Sequence, residues 1–200
     1  MVTVTCTIDG LEITANEGTT VLQAALDNGI YIPHLCYDPD LTAVGVCRLC
    51  MVEVAGRGMT IACKTPVAEG MVIRTESPEI HNTRRVAVEL LIVNHHADCL
   101  SCNKNTQCKL QEIANYVGID EERLKRLRKP SRTLPLDASN PFFYRDPNKC
   151  VLCGICVRAC DELRGVSAID FAFRGYGTAV ATFGDKPLLE SRCESCGECV

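Results

Sequence analysis

The sequence predicts an α+β chain of small domains, each organised around thiol ligands, and three observations lead there. Residues 2–8 alternate Val2, Val4, Cys6 and Ile8 with Thr3, Thr5 and Thr7, the period of a half-buried strand. Asp9-Gly10 follows as a tight-turn signal and Thr20 then opens a helical pattern, so strands and helices alternate early. Fifteen cysteines in 200 residues, most of them at two-residue gaps, are far more than a core needs.

Leu11 to Thr14 reads as the return strand of the first hairpin. Thr20 with Gln23 offers a capping box for a short helix whose apolar face is Val21, Leu22, Ala25 and Leu26, closed by Gly29. Three further short strands are expected at Met51–Val54, Met59–Ala62 and Met71–Arg74. Within this stretch lie Cys36, Cys47, Cys50 and Cys63, spaced C-x10-C-x2-C-x12-C. Three cysteines on a long irregular loop plus one distant cysteine suit a 2Fe–2S site, because such a loop can turn several backbone N–H groups toward the sulfurs. The first gap is longer than the four residues of the plant-type spacing. Buried free thiols would account for one or two of these cysteines, not four.

Ser77-Pro78 is a helix start, and the helix should run to about Asn94 with Ile80, Val86, Leu90, Leu91 and Val93 facing a core. His95-x3-Cys99-x2-Cys102-x5-Cys108 follows at once. One imidazole and three thiolates suit a 4Fe–4S centre with a nitrogen ligand, and the same four donors would also make a tetrahedral zinc site. Lys109–Val117 reads as a helix closed by Gly118, and Asp120 caps another over Glu121–Lys129 that Pro130 ends. Residues 130–147, with Pro130, Pro135, Pro141 and Pro147, read as an extended linker.

Cys150, Cys153, Cys156 and Cys160 then fall as C-x2-C-x2-C-x3-C, the bacterial ferredoxin run. In that arrangement three thiolates take one cluster and the fourth reaches its neighbour, so Cys160 joins Cys193, Cys196 and Cys199 at a second 4Fe–4S site. The site of Cys150, Cys153 and Cys156 expects its fourth ligand at position 203, beyond Val200. Either the polypeptide is a piece of a longer one, or that centre is absent, labile, three-iron or held by an unusual ligand. Ala168–Phe173 and Thr178–Thr182 read as short strands between the two runs. Zinc sites and disulfides are the plainer reading of C-x2-C pairs, but a third and fourth cysteine at this rhythm have no tetrahedral use. One 2Fe–2S and two to three 4Fe–4S centres thus employ fourteen cysteines. The fifteenth, Cys6, is left as core on the inward face of the first strand. His34, His81 and His96 have no spacing partner and read as ordinary.

Apolar content of 46% can bury a core. No opening h-region reads as a signal peptide, and no apolar run reaches the length of a membrane span, so a reducing cytoplasm is the expected location. Basic residues are interleaved with acidic ones and the net charge is −4, which gives no footing for nucleic acid.

The order of motifs resembles one family: the N-terminal electron-transfer region shared by the large iron–sulfur subunit of respiratory NADH dehydrogenase, the diaphorase small subunit of NAD-linked hydrogenases, iron-only hydrogenases and NAD-dependent formate dehydrogenases. His95-x3-Cys99-x2-Cys102-x5-Cys108 is the most specific element, and the resemblance covers the whole chain. It implies iron–sulfur rather than zinc at that site, and a β-grasp, ferredoxin-like fold for the first domain. The domains expected are 1–76 (2Fe–2S), 77–129 (helical, holding the cluster of one histidine and three cysteines), a linker at 130–147, and 148–200 (two-cluster ferredoxin-like, incomplete). Residues 140–146 and 170–175 are similar to the formate dehydrogenase and hydrogenase branch. The implied role is an electron relay between a flavin- and iron–sulfur-containing NAD(P)H-oxidising subunit and a catalytic formate dehydrogenase or hydrogenase subunit or domain. The alternatives are the N-terminal part of that catalytic polypeptide itself and a zinc-binding interaction module. No residue is placed as an acid, base or nucleophile.

Overall fold

The computed structural model describes residues 2–95, 98–128 and 133–200. Lys129 and Pro130, expected to end a helix, and His96, expected to be ordinary, lie outside them.

β1 (Thr3–Ile8) and β2 (Leu11–Asn16) pair antiparallel with Cys6 opposite Ile13, and the return strand runs two residues longer than its sequence pattern. Asp9 and Gly10 take φ of 50° and 83°, the two positive angles that a tight two-residue turn of matching twist requires. β3 (Met51–Val54), β4 (Gly58–Ile61) and β5 (Val72–Arg74) complete a five-stranded sheet in the order β2-β1-β5-β3-β4. β5 lies between β1, which it pairs parallel, and β3, which it pairs antiparallel. Asp9 ties the end of β5 to the first hairpin, accepting from Thr75 N (2.8 Å) and Thr75 Oγ1 (2.6 Å).

α1 (Val21–Asp27) is capped by Thr20, whose Oγ1 accepts from Gln23 N at 3.2 Å. The reciprocal half of the expected capping box is missing, because the Gln23 side chain reaches Asp27 and Tyr37 instead. Asn28 is the C-cap, and Gly29, the expected closing residue, follows it in the left-handed region. Ile8, Ile73, Val52 and Cys6 of the sheet close with Val21 and Leu22 of α1 into one apolar core.

α2 (Pro78–Asn94) starts as expected: Ser77 Oγ accepts from Ile80 N at 3.2 Å. Its buried face differs from the sequence reading. Ile80 and Val93 are buried as expected, but Leu90 is 54% exposed, and Arg84, Val88 and Ile92 are buried with Ile80. Those four recur every fourth residue and so form one stripe. An arginine in the middle of it hides the stripe from a count of apolar residues. α3 (Lys109–Val117) ends at Gly118, φ 71°. α4 (Glu121–Leu127) begins on Asp120, whose Oδ1 accepts from Arg123 N, and ends two residues earlier than its pattern suggests.

From Thr133 on, the proline-rich stretch is tied down by specific hydrogen bonds. Asp137 and Arg145 exchange backbone hydrogen bonds of 2.9 and 2.8 Å, and the Asn148 side chain bonds both N and O of Leu134. α5 (Ile155–Arg158) passes into a π-turn at Ala159–Leu163, and β6 (Ile169–Ala172) pairs antiparallel with β7 (Ala179–Thr182). Contacts divide the chain into two units: Met1–Pro39, Ala43–Glu89 and Gln107–Ile119 in one, and Asp40–Thr42, Leu90–Thr106 and Asp120–Val200 in the other. The expected helical stretch 77–129 is thereby shared between them. Among the described residues no helix is long and apolar enough to cross a membrane.

Candidate iron–sulfur sites

In the first unit, the chain between α1 and β3 has no regular structure, and Cys36, Cys47 and Cys50 lie along it at 2%, 9% and 1% exposure. Cys63 (1% exposed) sits in the turn Ala62–Lys64 after β4. Ala62 N donates to the Cys50 carbonyl at 2.9 Å, which brings the two distant parts of the motif together. The sulfurs approach in two pairs. Hydrogen bonding with Cys36, then burial, pushes the Cys47 thiol up, while backbone N–H groups of Leu49 and Leu35 oppose the shift. Hydrogen bonding with Cys63, then burial, pushes Cys50 up, and the same bond lowers Cys63. Four buried thiols, two of which are held back from ionising by their neighbours and by burial, suit a group whose iron supplies the compensating charge. All are free cysteines, so no disulfide competes. Among the described residues no three His, Cys, Asp or Glu side chains close on a single ion. The fit to a polynuclear group therefore rests on burial and on the pairwise approach of the sulfurs.

His95 follows the last turn of α2 in the second unit, its Nδ1 3.3 Å from the carbonyl oxygen of Cys150. A neutral ring that donates from Nδ1 to that carbonyl carries its lone pair on Nε2. Cys99 opens a short 3-10 turn that Cys102 closes, its N–H on the Cys99 carbonyl at 3.2 Å. Lys149 reaches Ser101 Oγ (2.8 Å) and the Asp98 carbonyl (3.3 Å) from beside Cys150. Cys108 is the N-cap of α3 and belongs to the first unit.

The two C-terminal cysteine runs fold by the same local rule. Leu152 and Ser195, each two residues after the first cysteine of its run, take φ of 57° and 58°. Each turns its N–H back onto that cysteine, Leu152 N to Cys150 Sγ at 3.4 Å and Ser195 N to Cys193 Sγ at 3.3 Å. Gly154 and Gly197 follow the second cysteine at φ of 73° and 82°. Left-handed residues on either side of the second cysteine curl each run, and an N–H turned onto a sulfur suits a negatively charged sulfur cluster. The matching Cys153-Gly154 and Cys196-Gly197 steps were a readable signal for this; Leu152 and Ser195 carried none.

Cys160 lies in the π-turn and its Sγ accepts from Ala168 N at 3.2 Å. Cys150, Cys156, Cys160, Cys193 and Cys199 all pack against the apolar cluster of Ile169, Val180 and Leu188. Burial, then the neighbouring Cys150, Cys153 and Cys199, pushes the Cys156 thiol up to about 12. Cys199 is raised by burial and by Cys193 and Cys196, with Arg145 opposing. Arg145 is buried at 7% exposure, and its Nη2 donates to the Val180 carbonyl at 2.6 Å. The sequence reading gave this cation beside sulfurs of both runs no role, because nothing local brings residue 145 to the cysteines. Cys6, by contrast, sits in the sheet core at 1% exposure with no other cysteine among the causes of its raised pKa, which are burial and Glu69.

Three family models match in the same order. Residues 2–78 match a 2Fe-2S iron-sulfur cluster binding domain, residues 84–123 the NADH-ubiquinone oxidoreductase-G iron-sulfur binding region, and residues 143–162 a 4Fe-4S binding domain. The chain is 38% identical over 199 residues to the NADPH-Fe(3+) oxidoreductase subunit alpha of Geobacter sulfurreducens, covering 98% of itself and 23% of that protein. It is 37% identical over 195 residues to a G-type NADH-quinone oxidoreductase subunit of Rhizobium meliloti, covering 97% of itself and 22% of that protein. Identity is 36% over 203 residues with the NADP-reducing hydrogenase subunit HndD of Solidesulfovibrio fructosivorans, covering 98% of this chain and 34% of that one. The chain thus spans between a fifth and about a third of the curated relatives it matches. A crystal structure of an NAD+-reducing NiFe hydrogenase in the H2-reduced state contains a chain that superposes with a TM-score of 0.78 at 35% identity, over 90% of this chain and 74% of that one.

Proposed function

The chain belongs to the iron–sulfur family of G-type NADH-quinone oxidoreductase subunits and NAD(P)-linked hydrogenase subunits, and from that premise we propose that it relays electrons between a flavin-bearing NAD(P)H-oxidising subunit and a catalytic hydrogenase or formate dehydrogenase site. It is an iron–sulfur electron-transfer module with a 2Fe–2S domain and 4Fe–4S binding regions. The residue assignments are our inference: Cys36, Cys47, Cys50 and Cys63 hold the 2Fe–2S centre, and His95, Cys99, Cys102 and Cys108 a 4Fe–4S centre. Cys160, Cys193, Cys196 and Cys199 hold a second 4Fe–4S centre, and Cys150, Cys153 and Cys156 contribute to a third. We read the five-stranded sheet with α1 as a β-grasp, with the helical and two-cluster parts following in the order expected from the sequence.

When bound, the clusters accept and pass on single electrons. The chain's own residues have three tasks. Buried positions keep water from Cys36, Cys50 and Cys63. Backbone N–H groups of Leu152, Ala168 and Ser195 meet the sulfurs and favour their charged form. The buried Arg145 offsets negative charge beside Cys156 and Cys199. The observation that carries the reading is the repeated inward N–H geometry of the two C-terminal runs, which a plain thiol core does not need.

The test is anaerobic purification with iron, acid-labile sulfide and zinc analysis, followed by electron paramagnetic resonance of protein reduced by NADH through a flavin-bearing partner. Both rhombic 2Fe–2S and 4Fe–4S signals are expected. Stoichiometric zinc without sulfide would overturn the relay. A hydrogenase rather than a formate dehydrogenase assembly is favoured by the hydrogenase chain that superposes on it, and identification of copurifying subunits separates the two.

A further inference from the structure

We propose that Arg84 is the positioning residue of the 2Fe–2S site, its guanidinium gripping the carbonyls of the two residues that flank Cys50, Leu49 and Met51, and so presetting that sulfur. The proposal rests on Cys50 being a cluster ligand. Arg84 lies on α2 and is 1% exposed. Its Nε donates to the Leu49 carbonyl at 3.0 Å and its Nη2 to the Met51 carbonyl at 2.8 Å. Its Nη1 donates to Glu76 Oε1 at 2.7 Å, and Tyr116 Oη donates to the same oxygen at 2.6 Å. With Ala62 N on the Cys50 carbonyl at 2.9 Å, three consecutive carbonyls around the ligand are held, two of them by one side chain.

A buried guanidinium is an expensive way to fill a core position, since its charge must be taken out of water. An apolar residue at this place in the Ile80, Val88, Ile92 stripe would pack without that cost. What arginine adds is a rigid, planar fork that satisfies two carbonyls at once, which neither a lysine point charge nor an amide reproduces. Leu49 ends the irregular loop and Met51 opens β3 opposite Ile61, so the fork spans the junction of loop and strand at which Cys50 sits. Glu76 and Tyr116 aim the fork from its far end. Outer partners of this kind commonly change metal affinity about 10–100-fold when removed.

The experiment compares the cluster-loaded full chain with Arg84→Met, Arg84→Lys and Glu76→Gln, following 2Fe–2S loss to an iron chelator by visible circular dichroism. The 4Fe–4S resonance signals of the same molecules serve as an internal reference. Arg84→Met should lose its 2Fe–2S centre about 10–100-fold faster while the 4Fe–4S signals decay at the parental rate. Arg84→Lys should fall between, and Glu76→Gln should accelerate loss severalfold. Parental 2Fe–2S lifetime in Arg84→Met, or simultaneous loss of every centre, overturns the proposal. Where Arg84→Met does not accumulate, Glu76→Gln decides, and a parental rate there overturns it. Cys50→Ala tests the underlying ligand assignment separately: a retained 2Fe–2S signal in that variant removes the assignment itself.

Discussion

Replacing Cys6 and Cys50 by alanine, one at a time, deletes the same sulfur atom from two equally buried places in one unit, yet the outcomes should diverge. Each residue is 1% exposed and each belongs to the same apolar core. Loss of one buried heavy atom with partial relaxation around it costs about 1–2 kcal/mol. For a domain of this size each kcal/mol moves Tm by about 4–8 °C, so Cys6→Ala should melt about 5–15 °C lower with its iron and sulfide content unchanged. Cys50→Ala carries the same packing cost and additionally removes a sulfur that lies within hydrogen-bonding reach of Cys63. It should lose the iron and sulfide of one 2Fe–2S centre and the corresponding resonance signal. Iron and sulfide per chain, with melting by far-ultraviolet circular dichroism, separate the two effects. Loss of iron in Cys6→Ala, or full 2Fe–2S loading in Cys50→Ala, would refute the division of fourteen ligands and one core thiol.

Gly154→Ala places a Cβ 3.0 Å from the Phe171 ring at a φ of 73°, a strain of roughly 1–2 kcal/mol before the clash, and should lower 4Fe–4S loading. Gly197→Ala meets nothing within 4 Å and should lose less, a ranking that iron analysis of the pair checks. His95→Cys exchanges a neutral ligand for an anionic one and deletes the bond to the Cys150 carbonyl, so the potential of that centre should fall by on the order of 100 mV in a resonance-monitored titration. No change, or a rise, would remove His95 from the ligand set. Burial, then Glu112, holds the Tyr31 hydroxyl up to about 12, and burial, then Glu76, does the same for Tyr116. An unfolded tyrosine ionises near 10, so this contribution is intact below about pH 10 and is lost as pH rises toward 12. Urea midpoints across that range should decline in the parent and decline less in Tyr31→Phe/Tyr116→Phe.

Several elements were legible because a local rule fixes them. The alternation of residues 2–8, the Asp9-Gly10 turn, and the Thr20, Ser77 and Asp120 caps all follow from the conformational preferences of a few neighbouring residues. Each lies where its pattern places it. Reading failed where a long-range partner overruled the pattern. Leu90 points to solvent because the stripe of α2 is set by Ile80, Arg84 and Val88, and Arg84 is buried only because Leu49, Met51 and Glu76 meet it. The proline-rich stretch carries no periodic pattern in sequence, yet Asp137 and Arg145 find partners in remote segments, Leu188 and Val180.

The repeated two-residue gaps between cysteines pointed, by themselves, to iron–sulfur chemistry, because they bring several thiols together on one short stretch of backbone. The tertiary structure alone decided which groups surround those sulfurs. Arg84 behind Cys50, Arg145 beside Cys156 and Cys199, and the N–H of Ala168 on Cys160 come from remote segments or from a backbone angle that no residue type announces. Candidate ligands are legible in the spacing of cysteines, whereas charge, hydrogen bonding and exclusion of water around them are properties of packing.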